Sequence, residues 1–465
     1  MVALASRRLK ESLGDSQKMN RRRFITQASA ALAGAALSRL VPAWPESTAD
    51  IKLEIAPLDL EIAPRKVVHT VAYNGRVPGP LIRWPEGKPI VIDVLNRTDV
   101  PEIVHSHGLW IASDMDGAAE EGSALIAPGA QLRYAFTPEP AGFRWYHTHT
   151  SAGSDLKRAT YTGQFGCFYI EPKQQPGAYE QEIFLTLHDW NAYKSASGDL
   201  SMEPAYQYST IDARMLGFAD PIQVREGRRV LFRILNASAS LIHWLGLAGH
   251  QLTVVAMDGN SVPVPAQMPA VRLGPAERVD VLVTMNHPGI WVLGETRELY
   301  RKAGMGIVVE YANKHGKPAW IEPPDTLWDY RKFANAQPPA AHPDETIPLR
   351  FEPKFHGQGA FDTWTINGKS YPHTDPIMLR QGKRYRLQLI NRSTDDHPLH
   401  LHRHTFEVTS IDGKPLSGLN KDVVVVSANS VAEVEFTANN PGLTLFHCHN
   451  QAHMDMGFMT VLRYV

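Results

Sequence analysis

His447-Cys448-His449, followed by His453 and the run Met454-Asp455-Met456-Gly457-Phe458-Met459, stands near the C-terminal end of the sequence. Along an extended strand side chains alternate, so Cys448 would face one way while His447 and His449 face the other. One short strand can then serve two metal sites, a thiolate site in front and an imidazole site behind. A thiolate with nearby imidazoles is a ligand set for an electron-transferring copper, and imidazoles alone suit a metal that meets oxygen or water. Such a plan needs partner ligands elsewhere.

Three further clusters supply them: His105-Ser106-His107, His147-Thr148-His149 and His397-Pro398-Leu399-His400-Leu401-His402. A His-x-His pair on a strand puts both imidazoles on one face, ready to chelate. The clusters also sit in related sequence. PLIRWPEGKPIVIDVLN (80–96) aligns with PIMLRQGKRYRLQLIN (376–391) when Gly87 is set on Gly382, a shift of 295 (382 − 87). That shift carries Asn96 to Asn391, His105 to His400 and His107 to His402. The stretch from Gly142 to His149 matches Gly442 to His449 at a shift of 300 (442 − 142).

Differences between the copies are as informative as the matches. Thr148 stands where Cys448 stands, and Glu102 where His397 stands. The first copy therefore keeps the imidazole face and lacks the thiolate site. A middle copy runs from Pro221 to Asn236 and on to Met257-Asp258-Gly259, parallel to Ile411-Asp412-Gly413. There Gly246 and Ala248 take the places of His400 and His402, and Gly294 and Thr296 those of the last pair. The middle copy is expected to be a copper-free spacer.

Four clusters in this order and spacing resemble the three-domain multicopper oxidases, the laccases and bacterial cuprous or metallo-oxidases, from about residue 51 to Val465. The resemblance implies four coppers. His397, Cys448 and His453 would hold the type 1 copper, and His105 and His400 the type 2 copper. His107, His147, His149, His402, His447 and His449 would hold the type 3 pair. It also implies electrons collected singly and delivered to O2 to give two waters, with Cys448, His447 and His449 on the electron path. Extended geometry agrees, because the Cys448 main chain leads directly to either neighbouring imidazole. The eight cluster imidazoles come from two domains, which ties domain assembly to metal binding.

Several positions depart from the family pattern. Phe458 stands where relatives often carry an axial methionine, which should leave a three-coordinate type 1 site of raised potential. Met456 and Met459 lie close in sequence and suit either flexible core filling or ligation. Ser106 replaces a usual tryptophan and Arg403 a usual glycine. Asp116, in Met115-Asp116-Gly117, matches a carboxylate that assists proton delivery in bacterial relatives, although Asp-Gly also suits a plain turn. The glutamate those relatives place just before the last type 1 histidine is Ala452 here.

Short apolar runs such as Pro-Ile-Val-Ile-Asp-Val-Leu between Gly, Pro and Asn turns read as strands. The expected fold is all-β, three consecutive cupredoxin-like Greek-key sandwiches at 51–172, 173–312 and 345–465. A Pro-rich connector, 313–344, should wrap the surface. The 465 residues suffice for three domains, and 47 Lys+Arg against 48 Asp+Glu leave no basic footprint for nucleic acid.

Residues 1–50 read as a twin-arginine-type export signal: Arg21-Arg22-Arg23-Phe24-Ile25, the apolar stretch Ala28 to Leu37, then Val41-Pro42-Ala43. Met19 would serve as an alternative start. The expected partners are the twin-arginine machinery, O2 and an electron donor, the expected location is periplasmic, and no membrane anchor is expected. With Cys448 on copper, Cys167 should be a buried strand residue in no disulfide. His188, His243, His250 and His404 read as structural. The function expected is laccase-like oxidation of phenols or aromatic amines. Alternatives are a metallo-oxidase acting on Cu(I), Fe(II) or Mn(II) in copper tolerance, or a scaffold that has lost its coppers. The 13 methionines form no Met-rich tract, which favours organic donors.

Overall fold

The computed structural model describes residues 48–174, 177–194, 204–355 and 361–465. The export signal expected at the N-terminus lies outside these residues up to position 47. Six sheets make up the described chain, and they stack in pairs as three all-β sandwiches. In the first, the sheet ordered 66–73, 51–63, 90–96, 131–136 faces the sheet ordered 79–85, 165–171, 142–148, 104–107. Middle and third sandwiches each pair a six-stranded with a five-stranded sheet, in the same strand order.

Local sequence explains the two kinds of strand. Arg384–Asn391 (RYRLQLIN) alternates half-buried and buried residues, as a strand with one solvated face must. Val423–Val426 is buried throughout, since it lies in a sheet covered on both sides. The cores of the middle and third sandwiches run together into one apolar cluster.

Register is equivalent in all three sandwiches. Val104 pairs with Thr148 and His105 with His147 in the first; Leu245 pairs with Glu295 and Gly246 with Gly294 in the middle; Leu399 pairs with Cys448 and His400 with His447 in the third. Asn96, Asn236 and Asn391 each donate from the side-chain amide to at least two neighbouring backbone carbonyls, fixing the same corner three times.

The connector differs from expectation. It does not simply wrap the surface: a short 3-10 helix, Tyr330–Phe333, sinks Tyr330 and Phe333 into the shared core, and Asn335 pairs with Ser417 through the backbone. Its aromatic residues gain more by leaving water than a polar linker would. No helix among the described residues is long and apolar enough to cross a membrane.

Candidate metal centre

The strand Leu443–Cys448 delivers Cys448 to one face, and the next turn brings His453 back beside it on the short helix Gln451–Asp455. Asn450 caps that helix, its side chain accepting from the Ala452 amide at 3.1 Å. Cys448 Sγ lies 3.6 Å from His453 Nδ1 and 3.8 Å from His397 Nδ1, and the two nitrogens are 3.2 Å apart. Three soft or borderline donors thus converge on one point, and all three residues are buried. Burial pushes His453 down to about 3; burial and then His453 push His397 well below its ordinary value. Both imidazoles are neutral, the form that ligates a metal.

Apolar rings close this site. Trp364 packs 4.5 Å from the His397 ring and 4.6 Å from the His453 ring, and stacks on Phe458. Phe458 lies 4.9 Å from His397, and its carbonyl accepts from the Cys448 amide. Met459 packs instead with Ala118, Leu445 and Met454, and Met456 packs against the main core.

Behind Cys448 the other eight histidines meet between the inner sheets of the first and third sandwiches. His105 Nε2, His107 Nδ1, His147 Nε2, His400 Nε2 and His449 Nε2 are buried without any hydrogen-bond partner. Each such orphan costs about 1–3 kcal/mol unless something binds it. His447 Nε2 stands 3.4 Å from His149 Nε2 and 3.1 Å from His402 Nε2, three lone pairs converging on one point. The opposite nitrogens are tied back. The Nδ1 atoms of His105, His147, His400 and His447 meet the carbonyls of Asp116, Thr148, Asp422 and Cys448 at 2.7–2.9 Å. Burial, reinforced by neighbouring imidazoles, lowers His149 to about 3 and His107, His147, His402, His447 and His449 well below the ordinary range. Donor atoms of His105, His400 and His402, of His105, His107 and His147, and of His149, His402 and His447 each gather within 4.8 Å. A nest of aimed imidazoles, their lone pairs turned inward, fits bound copper.

Asp116 is no mere turn residue. Its Oδ2 lies 2.8 Å from His402 Nδ1 and 3.2 Å from His105 Nδ1. The turn itself needs Gly117: φ is +86°, and a Cβ there would come 1.8 Å from the Val104 carbonyl oxygen. Glu121 stands beside Asp116, accepts from the Leu445 amide at 2.6 Å and comes within 3.4 Å of His402 Nδ1. Burial, then the Asp116 charge, pushes Glu121 well above the usual carboxylate range. Burial would raise Asp116 too, but the contacts with His105 and Glu121 and the nearby Arg403 charge together outweigh it and hold Asp116 down. The two shifts run in opposite directions, which favours Glu121 over Asp116 as the holder of a shared proton. Sequence reasoning missed Glu121, whose neighbours come from a strand more than three hundred positions away.

Asp422 was missed as well. It accepts from His107 Nε2 at 3.1 Å with its carboxylate and from His400 with its backbone carbonyl. A signal was available, since Lys421-Asp422 puts two charges directly before the wholly apolar Val423–Val426.

The middle sandwich fills the equivalent positions differently. Gly246 and Gly294 leave no donors, while His243 and Glu295, at the places of His397 and Cys448, form a buried ion pair at 2.8 Å. In the first sandwich Thr148 donates to Glu102 at 3.2 Å. Three histidines expected to be structural each have a protein partner: His188 meets the Ala237 carbonyl, His250 the Tyr311 hydroxyl and His404 the Tyr464 hydroxyl. Cys167 is a free, buried residue of the strand Phe165–Glu171.

Three family models described as multicopper oxidase match residues 57–175, 181–313 and 344–465. The multicopper oxidase MmcO of Mycobacterium tuberculosis is 29% identical over 484 aligned positions, covering 95% of this chain and 92% of that protein. Bilirubin oxidase of Albifimbria verrucaria is 26% identical over 447 positions, covering 88% of this chain and 75% of its own. The crystal structure of a multi-copper oxidase from Pseudomonas thermotolerans matches with a TM-score of 0.71 at 25% identity, covering 90% of this chain and all of that one. The chain thus belongs to the multicopper oxidases, copper-dependent oxidoreductases of laccase-like type that use O2 as electron acceptor.

Proposed function

We propose that this chain oxidises phenolic or aromatic amine donors one electron at a time and reduces O2 to water. In this reading the sandwiches at 51–172 and 345–465 carry the metal sites, and the one at 173–312 carries none. His397, Cys448 and His453 hold a type 1 copper; His105 and His400 hold a type 2 copper; His107, His147, His149, His402, His447 and His449 hold a type 3 pair. Bound there, four coppers would supply one-electron redox chemistry at the thiolate and a centre for O2 among the imidazoles.

The protein's part follows from its geometry. Cys448 is covalently continuous with His447 and His449, and the hydrogen bond from His447 Nδ1 to the Cys448 carbonyl, 2.9 Å, adds a second route. Trp364 and Phe458 keep water from the thiolate, and an apolar surround without a soft axial donor favours a high potential. A high potential suits phenols and aromatic amines, which favours organic donors over metal ions. Glu121 holds a proton one residue contact away from the imidazole of His402, with Asp116 as the bridge. Residues 1–50 would direct export through the twin-arginine machinery to the periplasm.

The observation that carries the reading is the Cys448–His397–His453 triangle, one residue from a nest of orphaned imidazoles. Copper-loaded protein should be intensely blue, hold four coppers per chain and consume O2 with a phenol. Faster oxidation of Cu(I), Fe(II) or Mn(II) than of any phenol would move the assignment to a metallo-oxidase. Colourless protein that consumes no O2 would leave only the scaffold.

A further inference from the structure

Where the three sandwiches meet, six ionisable side chains are buried together. The first sandwich contributes Arg144, the middle one Asp258, Glu277 and Arg278, and the third Lys421 and Asp422. Three basic groups face three acidic ones. Arg278 is its hub: it donates to Asp422 Oδ1 at 2.7 Å and Oδ2 at 2.5 Å, and to the carbonyls of Ala276 and Asp258. Arg144 adds a longer contact to Asp422 Oδ2 at 3.2 Å. Lys421 bridges Asp258 and Glu277 at 2.9 and 3.1 Å, and the Tyr330 hydroxyl donates to Glu277. The approach is so close that Gly108, φ +83°, could carry no Cβ: it would lie 2.6 Å from Asp422 Oδ2.

Stability alone is a poor reason for such a knot, because apolar residues of similar volume often serve as well or better. Its position supplies another reason. Asp422 Oδ1 also accepts from His107 Nε2 at 3.1 Å. His107 stacks on His400, ring centroids 3.8 Å apart, so its plane is fixed. Of the five orphaned imidazoles in the cluster it alone leaves Nδ1 bare, while the other four leave Nε2. A neutral imidazole has one N–H and one lone pair, and a carboxylate on Nε2 dictates which is which.

We infer that the copper-free middle sandwich sets the tautomer of a cluster ligand: Arg278 orients Asp422, and Asp422 holds His107 with its proton on Nε2 and its lone pair, on Nδ1, toward the cluster. The middle sandwich is then a positioning element rather than a spacer. Arg278 and Asp422 touch no donor or O2, so both are positioning residues. The inference rests on the proposed ligand set.

The test separates copper classes by competition with a chelator, scoring the blue copper by its absorbance and the remaining copper by metal content. Arg278→Gln removes the fork, and Arg278→Lys keeps the charge but not the bidentate grip. The expected result is roughly 10–100-fold weaker binding of the non-blue coppers in Arg278→Gln, a smaller loss in Arg278→Lys, and unchanged blue copper in both. Tyr330→Phe takes a hydroxyl from the same knot without touching Asp422, and should leave both classes unchanged. A crystal structure of the copper-loaded protein should show His107 bonded through Nδ1. Parallel loss of blue and non-blue copper, loss of neither, equal loss in Tyr330→Phe, or bonding through Nε2 would each overturn the inference. Wild-type protein that binds no copper would instead defeat the ligand assignment itself.

Discussion

Glu295 holds the ladder position in the middle sandwich that Cys448 holds in the third, and its carboxylate takes His243 Nδ1 at 2.8 Å. One slot in one fold is thus filled three ways: a Thr148–Glu102 hydrogen bond, a His243–Glu295 ion pair and a thiolate–imidazole pair. In each case two strands of the inner sheet are cross-linked. A proton on His243 does in the middle sandwich what a metal would do in the third.

That proton makes the middle sandwich sensitive to alkali. Burial by itself would lower His243, but Asp189 and Glu295 outweigh it and push it up to about 9. A raised value means the contribution to stability is complete below the ordinary imidazole value of about 6.5 and fades as pH rises through about 9. At most about 3 kcal/mol is involved. Thermal unfolding of wild type and His243→Gln, compared from pH 6.5 to 9.5, should show their difference shrinking. A constant difference would contradict the assignment of charge to this site.

How much of this was legible beforehand depends on the range of the interaction. His-x-His on a strand and the alternation in Arg384–Asn391 are period-two signals, complete within a few residues. The shift of 295 carried His105 onto His400 because both copies keep the same strand register. Glu121 and Asp422 were illegible as neighbours of the site, since their partners Leu445 and His107 are 324 and 315 positions away. The connector misled for a related reason: Tyr330 and Phe333 show no periodicity, and only the seam between two sandwiches gives them a place to be buried.

Cys448→Ser should separate the two halves of the site. The His447 ring is held by the Cys448 main-chain carbonyl, and the His449 amide donates to the Pro398 carbonyl, neither of which needs the sulfur. The variant should therefore lose the blue absorbance, one copper per chain and donor oxidation, while retaining the other coppers. Loss of all copper on this single change would mean that the thiolate organises the imidazole nest, contrary to the geometry.

Asp116→Asn should slow turnover by roughly 10–100-fold, the usual cost of losing a carboxylate that orients a ligand histidine, and leave the blue absorbance intact. Glu121→Gln should do less, because the amide keeps the shape of a carboxyl that is already protonated and still accepts from the Leu445 amide. Steady-state O2 consumption at saturating phenol checks both. Equal activity of Asp116→Asn and wild type would remove Asp116 from the proton path.

Arg403 tests the interface between the copper-bearing sandwiches. Its φ of +57° lies where a non-glycine residue is strained by about 1–2 kcal/mol. The guanidinium is wholly buried and satisfied by neutral acceptors: the carbonyls of Ile111, Leu443 and Pro441, the Thr444 hydroxyl and the Asn440 side chain. Ile111 belongs to the first sandwich and the others to the third, so one side chain pins the two together beside His402. Arg403→Gly would relieve the backbone but orphan those acceptors, at about 1–3 kcal/mol for each that water fails to reach. The second effect is larger. Thermal or denaturant unfolding should therefore show the glycine variant less stable by about 3 kcal/mol, whereas a variant as stable as wild type would mean that water enters and replaces the guanidinium at little cost.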